Sequence, residues 1–482
     1  MNHLLKFKTI CAMKNFLIFT MLFLNISAYA QVKIGNNPTT INDASILEIE
    51  DSTRGVLLPR MTTAQRDSIS NPPDGLKVYN TETSTMDVYR FDHWAATKYT
   101  IPGDKLIYVY SIDDLPDPVG SSITLVSDAT YIFMDIVDIS PNYLDLNGAV
   151  LRGIDPEGNG VSSTVAGGIL RSTDNSVFMQ DMAVIPLSSG TKAYDFSDGT
   201  GTKFCNLFSG NSVVEVGIPS LGVGQVSGFK AVTIVKNYWK CADGIKVTGT
   251  IGKFAAGFVF IQDITSGAGI EFLSGLNAQD IDLSNNYFSY TGQTGVKVDP
   301  LAQIDRGRMT TNMFRDVGTI LDGVTPFDIG WYMTQNTNIP NTIAYGYIYD
   351  NNNASATTLP ANDTYAKING VTSSVKLLKF ESNVDNRLTY KGKEDINAKV
   401  FVTITGKAPA NSADFTLSVS KNGVPISNPN HSTGEMVNNQ SFTLMLETHV
   451  DMSTDDYIEP VIKTTSGDLS ITISDLQFRV SN

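Results

Sequence analysis

The sequence predicts an all-β protein: a small N-terminal β-rich module, then a right-handed parallel β-helix, then an antiparallel jelly-roll β-sandwich. A repeat predicts the β-helix, because an Asn or Asp followed two residues later by an aromatic residue, with weaker copies at Asp181, Asp263 and Asn336, recurs every 23 to 31 residues. Short β-branched runs separated by Gly, Asn, Asp and Ser flank the copies, without a helical pattern. Such a period indicates stacked repeats, and short strands make them a β-helix.

Residues 1–30 form a predicted signal peptide. Lys14 precedes an apolar run that ends at Leu24, and an Ala-Tyr-Ala site occupies residues 28–30. A basic start, an apolar stretch and such a site are typical of Sec export, and the run is shorter than the roughly 20 residues of a membrane-spanning helix. The sequence therefore predicts a secreted or cell-surface protein without a transmembrane segment in the mature chain.

The chain is acidic. Its formal net charge is −14, and removing residues 1–30 would take away three Lys and no acid, leaving −17. An acidic surface repels phosphate backbones, which excludes nucleic acid as a partner. Cys205 and Cys241 would then be the remaining cysteines. Two isolated cysteines form neither a disulfide framework nor a metal site. We expect two buried free thiols, and a single disulfide between them is the alternative.

Residues 31–99 are predicted to be a separate module with short strands, a short helix from Thr62 to Ser68 and a Pro-rich turn. The strings GVLLPRMTTAQRD, from Gly55, and GLKVYNTET, from Gly75, resemble a module near the N-termini of phage tail-fibre proteins and of exported proteins of Bacteroidota-type bacteria. The resemblance implies a structural segment ahead of a larger projecting body. It implies no chemistry.

Residues 100–340 are the predicted β-helix. A first coil exposes strand edges, so residues 100–135 are predicted to cap it. The run from Leu144 to Gly153 resembles an early coil of the pectate-lyase-like β-helices, a fold that tailspikes also use.

The strongest copies of the repeat predict two columns in the β-helix. Asn at the same corner of successive coils, about 4.8 Å apart, would hydrogen-bond the turn backbone and its neighbours. The aromatic residue two positions later would point inward and join an aromatic core column. The predicted structural ladder consists of Asn206, Asn237, Asn286 and Asn312 with Phe208, Trp239, Phe288 and Phe314.

The C-terminal part has a different pattern. Residues 341–363 are polar and predict a linker or loop region. Residues 364–482 alternate with period two, as in Val400–Ile404, and a Lys-Asn-Gly hairpin turn begins at Lys421, which predicts an antiparallel sandwich. This part resembles a C1q/TNF-like jelly-roll head. Such heads are usually trimeric, so the resemblance implies a homotrimer.

Outward-facing aromatic residues are the candidate binding residues, because sugar rings pack on aromatic faces. The alternation points Tyr238 and Tyr287 away from the core, and Trp331 and Tyr332 near the end of the coils are the other candidates. Each of them would also fit beneath a loop. These residues predict a glycan or another surface as the ligand.

Asp282, Asp305 and Arg308 are the candidate catalytic residues, because β-helices also host polysaccharide lyases and glycoside hydrolases. Hydrolysis needs two carboxylates across a groove, and a lyase needs a base. All four His residues lie outside the coils, and Asp305 and Arg308 also fit a salt-bridge cluster between coils. No cofactor or metal is predicted. A Ca²⁺ ion would suit Asp455, Asp456 and Glu459, which also fit a solvated loop.

The sequence therefore favours an exported, homotrimeric surface or fibre-like adhesin that resembles tailspike and tail-fibre receptor-binding proteins and recognises a glycan or another surface without catalysis. The first alternative is a polysaccharide lyase or glycoside hydrolase acting on the β-helix face. The second is a purely structural envelope or appendage subunit.

Overall fold

The computed structural model describes residues 13–14, 31–37, 41–90, 92–96, 105–361, 363–426 and 431–482. All of the predicted signal peptide except residues 13 and 14 lies outside these ranges. The chain forms two compact units, Met1–Ile101 and Pro102–Asn482.

The first unit contains two small sheets and one short helix. Its strands are β1 Val32–Gly35, β2 Leu47–Glu50, β3 Arg60–Met61, β4 Lys77–Asn80, β5 Thr85–Arg90 and β6 His93–Ala96. β1 and β2 form a parallel pair, and the other four form a sheet in the order β3-β4-β5-β6. Helix α1, Thr63–Asp67, lies in the segment predicted to be helical and begins with a capping box between Thr62 and Gln65.

The second unit begins with 27 strands that are short because each spans one side of a coil. They are β7 Leu106–Val109, β8 Ser122–Thr124, β9 Thr130–Phe133, β10 Ile136–Asp138, β11 Tyr143–Asp145, β12 Val150–Arg152, β13 Gly160–Ser163, β14 Gly167–Thr173, β15 Val177–Gln180, β16 Ala183–Pro186, β17 Thr191–Ser197, β18 Phe204–Phe208, β19 Ser212–Val214, β20 Gly224–Ser227, β21 Ala231–Val235, β22 Tyr238–Lys240, β23 Ile245–Thr248, β24 Thr250–Gly257, β25 Phe260–Gln262, β26 Ala268–Phe272, β27 Asn277–Ser284, β28 Tyr287–Ser289, β29 Thr294–Val298, β30 Gln303–Thr310, β31 Met313–Arg315, β32 Thr319–Asp322 and β33 Trp331–Thr334.

These strands form three parallel sheets, and each strand pairs with its equivalent in the next coil. Sheet 1 has eight strands (β10 to β31), sheet 2 has nine (β8 to β32) and sheet 3 has ten (β7 to β33). Every third strand belongs to the same sheet, so the chain winds through about nine turns. The predicted parallel β-helix is confirmed, and its interior is a continuous apolar core that includes Tyr131, Phe196 and Phe272.

Residues 105–135 differ from the predicted cap. β7 pairs in parallel with β9, and β8 pairs in parallel with β11. Tyr131 and Phe133 are buried in the same core as the later coils. This segment therefore forms the first coil, because it follows the same inward alternation as the coils after it.

Buried Asn side chains occupy one corner of successive coils. The Asn286 amide donates to the Asn312 Oδ1 atom at 3.0 Å, and the Asn312 amide donates to the Asn336 Oδ1 atom at 2.9 Å. Each amide also donates to a backbone carbonyl in the preceding coil, as Asn237 does to Leu207 at 2.9 Å. The corner therefore satisfies buried backbone groups where the strands end.

Asn206 and Phe208 lie outside these columns. Asn206 is inside β18, opposite Thr233, and Phe208 faces outward beside Phe178. Asn211 holds the corner instead and donates to the Met179 carbonyl at 3.1 Å. The Asn-x-aromatic pattern at 206 is a coincidence of spacing, because the corner comes only where β18 ends.

The aromatic core column is shorter than predicted. Phe288 and Phe314 are buried and stack with their ring centroids 4.6 Å apart. Trp239 is also buried, but its neighbours in register are Val213 and Ile261. The inward position therefore requires a large apolar side chain, and aliphatic residues meet this requirement as well as aromatic ones.

The outer face of sheet 2 carries charges of alternating sign from coil to coil. Lys246, Glu271 and Lys297 are consecutive in register, with Lys297 Nζ at 2.8 Å from a Glu271 oxygen. The column continues to Asp322, and Arg171 lies between Asp145 and Asp195 at the other end. This face is occupied by contacts between coils.

The chain ends in two antiparallel sheets that share a second apolar core. The strands are β34 Tyr345–Asp350, β35 Ala356–Leu359, β36 Ala366–Lys367, β37 Ser373–Leu378, β38 Phe380–Glu381, β39 Leu388–Tyr390, β40 Ile396–Lys407, β41 Thr416–Lys421, β42 Val424–Pro425, β43 His431–Ser432, β44 Ser441–Met452, β45 Tyr457–Lys463 and β46 Leu469–Ser481. One sheet has the order β37-β34-β46-β40-β44 with β35 on β46, and the other has the order β38-β39-β45-β41-β42 with β36 on β45 and β43 on β41.

This sandwich begins earlier than predicted. Residues 341–363, predicted to be a linker, contain β34 and β35, and both strands pair with β46. Ile348 and Leu359 are fully buried in the shared core. The polar run from Asn351 to Ser355 is the turn between the two strands, so its composition indicated a loop but not the strands beside it.

We expect the variant Asn312→Ala to lower the free energy of unfolding by about 2–4 kcal/mol. It removes the hydrogen bonds to the Leu283 carbonyl and to the Asn286 backbone N–H, and one of the two bonds of the Asn286 side-chain amide, and a buried group left unpaired costs about 1–3 kcal/mol. Urea denaturation followed by circular dichroism measures this loss. Asn277→Ala, at an exposed strand position of the same β-helix, is the matched control and should change stability by less than about 0.5 kcal/mol. Equal effects of the two variants would contradict a stabilising Asn ladder.

Candidate functional site

Sheet 1 presents a row of large apolar side chains to solvent. Tyr238, Phe260, Tyr287 and Met313 occupy the same outward register position in β22, β25, β28 and β31. We call these four residues the aromatic strip. Strands of a sheet are about 4.8 Å apart, so the strip extends over about 14 Å along the β-helix axis.

The aromatic strip is exposed rather than packed beneath a loop. Tyr238, Phe260 and Met313 have 36%, 50% and 55% of their surface accessible, and Tyr287 is half-buried between its neighbours. The Phe260 and Tyr287 rings lie with centroids 5.1 Å apart at an angle of 41°. Contiguous exposed apolar surface of this kind marks an interaction site.

Polar side chains flank the aromatic strip two residues further along the strands, at Lys240, Gln262 and Arg315. The Tyr238 hydroxyl donates to the Gln262 Oε1 atom at 3.0 Å. A hydrogen bond with Arg315 lowers the pKa of Tyr287 from its ordinary value. Lys240 and Arg315 are exposed beside these residues. The surface thus combines ring faces with nearby donors and acceptors.

Phe258 adds a fifth exposed side chain at the corner before β25. Its φ is +56°, in the left-handed region that bulky side chains rarely adopt, and 54% of its surface is accessible. Lys236, Asn285 and Thr311 have the same backbone conformation at equivalent corners. The fold therefore requires this conformation, and Phe258 is an aromatic residue where the neighbouring coils have polar ones.

The predicted binding residues separate into two places. Tyr238 and Tyr287 are in the aromatic strip, and Phe260 between them is the member that the sequence pattern did not single out. Trp331 and Tyr332 line a cleft of about 440 Å³ where the last coil meets the sandwich. Trp331 is not a surface residue: it faces the core and lies over Gly307, where a Cβ atom would be 2.5 Å from the indole.

Ion pairs between the β-helix and the sandwich engage two of the predicted catalytic residues. Asp305 accepts from Lys393 Nζ at 2.7 Å, and Arg308 donates to a Glu394 oxygen at 2.8 Å. Asp282 lies beside Arg308 in register, on the outer face of sheet 3. Its Oδ1 atom is buried and accepts no hydrogen bond. The three residues are thus close together, but Asp305 and Arg308 hold two domains together.

Lys379 closes the end of the β-helix from the sandwich side. Its amine donates to the backbone carbonyls of Asp328, at 3.1 Å, and Trp331. Burial lowers the pKa of Lys379 to about 8, although the negative charges of Asp328 and Glu394 oppose the shift. The cleft is therefore a structural junction whose cations already have partners.

The acidic residues considered for Ca²⁺ each pair with cations. Asp455 pairs with Lys391, Asp456 with Lys421, and Glu459 with Lys367 and Arg387. Among the described residues, no group of three or more His, Cys, Asp or Glu side chains is arranged to hold a metal ion. Cys205 and Cys241 are buried and free, and burial raises the pKa of both thiols.

Lys379 should increase the stability of the protein as the pH rises. Its pKa is about 8 in the folded chain against an ordinary value of 10.5, so the unfolded chain binds more protons between these values. The free energy of unfolding therefore increases as the pH rises through this window, and the gain is lost when the pH is lowered to 8 and below.

We expect the free energy of unfolding, relative to a Lys379→Met variant, to increase between about pH 7 and about pH 10. Urea denaturation at both pH values measures the difference. Lys376→Met, at an exposed position three residues earlier, is the control and should show no such change. A constant difference between the wild type and Lys379→Met would refute the lowered pKa.

Residues 33–106 match the family model of the phage tail-like trimerisation region. This match supports a homotrimer and lies in the N-terminal segment, whereas the sequence resemblance implied trimerisation for the C-terminal head. No curated protein matches the chain. Among the described residues, no helix is long and apolar enough to cross a membrane.

Two solved structures are similar to this chain at 8% identity. The enzymatically active domain of tailspike protein 2 of bacteriophage CBA120 matches over 86% of this chain and 89% of its own, with a TM-score of 0.28. That of tailspike protein 4 of the same phage matches over 88% and 77%, with a TM-score of 0.21. The family match lies in the segment that was predicted to resemble tail-fibre proteins, and the three parallel sheets confirm the predicted β-helix fold of the coils.

Proposed function

We propose that this protein is an exported, homotrimeric surface or fibre-like protein that binds a glycan along the aromatic strip. The observation that carries the proposal is the exposure of Tyr238, Phe260 and Met313 in one register column, with Tyr287 among them. Sugar rings present C–H faces that pack on aromatic rings, and their hydroxyls need donors and acceptors at the edge. Gln262 and Arg315 provide these groups.

The contrast between the three outer faces favours sheet 1 as the binding face. On sheet 2, the outward column carries charges that pair between coils. On sheet 3, Phe178 and Phe208 pack against each other and are half-buried. The register column of Phe178 continues through polar and small residues to Asp282 and Arg308. Within the aromatic strip, Phe260 and Tyr287 pack against each other, whereas Tyr238 and Met313 are not in such a ring pair. Its exposed rings favour an extended ligand lying along the axis.

The acidic chain, with a net charge of −14, favours a neutral or hydroxyl-rich ligand over a polyanion. The cationic side chains near the strip already have acidic neighbours, since Lys240 approaches Asp263 at 3.8 Å and Arg315 approaches Asp316 at 3.5 Å. We therefore propose neutral polysaccharide as the first class to test, with acidic polysaccharide as the comparison.

We expect Phe260→Ala and Tyr287→Ala each to weaken glycan binding by about fivefold, because the loss of one ring contact is worth on the order of 1 kcal/mol. A glycan array identifies the ligand, and calorimetry with the purified glycan measures the affinity. Phe204→Ala is the matched control, because Phe204 is an aromatic residue with 42% of its surface exposed on sheet 3. Unchanged binding in both strip variants would refute the proposed site.

The same samples test the enzymatic alternative. Incubation with neutral and acidic polysaccharides, followed by assays for reducing ends and unsaturated uronates, should give no product. Product that disappears in an Asp282→Ala variant would replace the binding function with catalysis on sheet 3. Asp282 is the residue for this test, because Asp305 and Arg308 are held in ion pairs.

A further inference from the structure

The described part of the N-terminal module contains very little buried apolar surface. Among residues 31–96 whose burial the structure describes, Val78 is the only hydrophobic residue that is buried. Eight large hydrophobic side chains of the same segment are exposed, namely Val32, Ile34, Ile46, Leu47, Ile49, Val56, Leu57 and Met86. A segment with so little buried apolar surface needs another surface to hold its structure.

Four of these side chains form one face of the β1–β2 pair. The parallel register places Val32 beside Leu47 and Ile34 beside Ile49. Alternate residues of a strand point to the same side, so the four make a patch of two layers. Their accessible fractions are 49%, 56%, 59% and 43% in that order. We call this patch the apolar face.

The opposite side of the pair is charged. Lys33 Nζ contacts Glu48 and Glu50 at 2.9 Å each, and 6% of the Lys33 side chain is exposed, against 26% of Glu48 and 58% of Glu50. The Asn42 backbone N–H donates to a Glu48 oxygen at 2.6 Å, which holds the loop before β2 against this side. The usual arrangement of a sheet on a core is therefore inverted, with the four apolar side chains open to water and Lys33, in the middle of the charged side, covered.

We infer that the apolar face is the subunit contact of a homotrimer, in which the β1–β2 pairs of three copies pack around a common axis. The inference deepens the proposed trimer and rests on it. The occupant is a second and third copy of this chain, because residues 33–106 match a trimerisation region that includes most of β1 and all of β2.

The geometry suits a threefold axis. A two-stranded sheet is not stable alone, and three copies supply the missing layer by equivalent contacts. Val32 and Leu47 of the three copies form one apolar layer of six side chains, and Ile34 and Ile49 form a second. The ion pairs of Lys33 stay on the outside within each copy, so no like charges meet at the axis.

Light scattering on the full-length protein tests the inference. The wild type should have the mass of three chains. The double variant Ile34→Glu with Ile49→Glu puts six carboxylates into one layer, and we expect it to raise the trimer dissociation constant at least 100-fold. Val375→Glu is the matched control, because Val375 is 56% exposed on strand β37 of the sandwich and should leave the trimer intact.

A trimer that survives Ile34→Glu with Ile49→Glu overturns the assigned surface, and so does a trimer lost only in Val375→Glu. A monomeric wild type would instead remove the proposed homotrimer itself, while the glycan assays judge the aromatic strip separately.

Cross-linking keeps the test decisive if the charged variant fails to fold. In a Cys11→Ser background, the remaining native thiols are buried and free. An Ile34→Cys variant should form disulfide-linked chains on mild oxidation, because the same position of three copies meets at the axis. Val375→Cys should remain uncross-linked under the same conditions. Equal cross-linking of the two variants would overturn the inference.

Discussion

The parallel register between successive coils is the constraint on which the structure depends. Each strand of the β-helix bonds to its equivalent in the coils before and after it, so every side chain has near-identical surroundings once per turn. This repetition places the Asn286, Asn312 and Asn336 amides in hydrogen-bonding distance of one another. It also places Lys246, Glu271 and Lys297 in a column where alternating charge stabilises and like charge would repel.

The same register creates the candidate site. A single exposed aromatic residue on a protein surface has no particular meaning. Residues from four consecutive coils become one contiguous surface because the coils repeat without a shift at β22, β25, β28 and β31. The site therefore combines residues that are distant in sequence, while the corner residues that fix the coils are buried beside it.

Much of the fold could be predicted from the sequence, because the period is visible where Asn237, Asn286, Asn312 and Asn336 hold the corner. The pattern failed where another residue does: Val259 stands at the corner between Asn237 and Asn286, and the repeat pointed to Asp263 instead. It also misled at Asn206, since an Asn inside a strand has the same local spacing as an Asn that ends one. Strands β34 and β35 were missed because their partner, β46, is far along the chain. The strands of the first coil were expected, but as a cap rather than as a coil.

Half of the aromatic strip could be predicted. Alternation pointed Tyr238 and Tyr287 outward, but Phe260 has no Asn before it, and its place between them follows only from the register. Trp331 was predicted to be a binding residue but is buried. Which residues of β33 face the core depends on where the strand begins, and the sequence does not show this. Likewise, the inverted exposure of β1 and β2 cannot be read from alternation, which gives two faces without saying which one is covered.

Because each coil contacts only the coil before it and the coil after it, the β-helix can change length by whole turns without redesigning its core. A duplicated turn would lengthen this part of the molecule by about 4.8 Å and copy its outward column. Corners also accept inserted residues, as the loop around Val216, Ile218 and Leu221 between β19 and β20 illustrates. Duplicating the coding sequence of one turn would therefore change the length of the β-helix and the number of residues in its outward column.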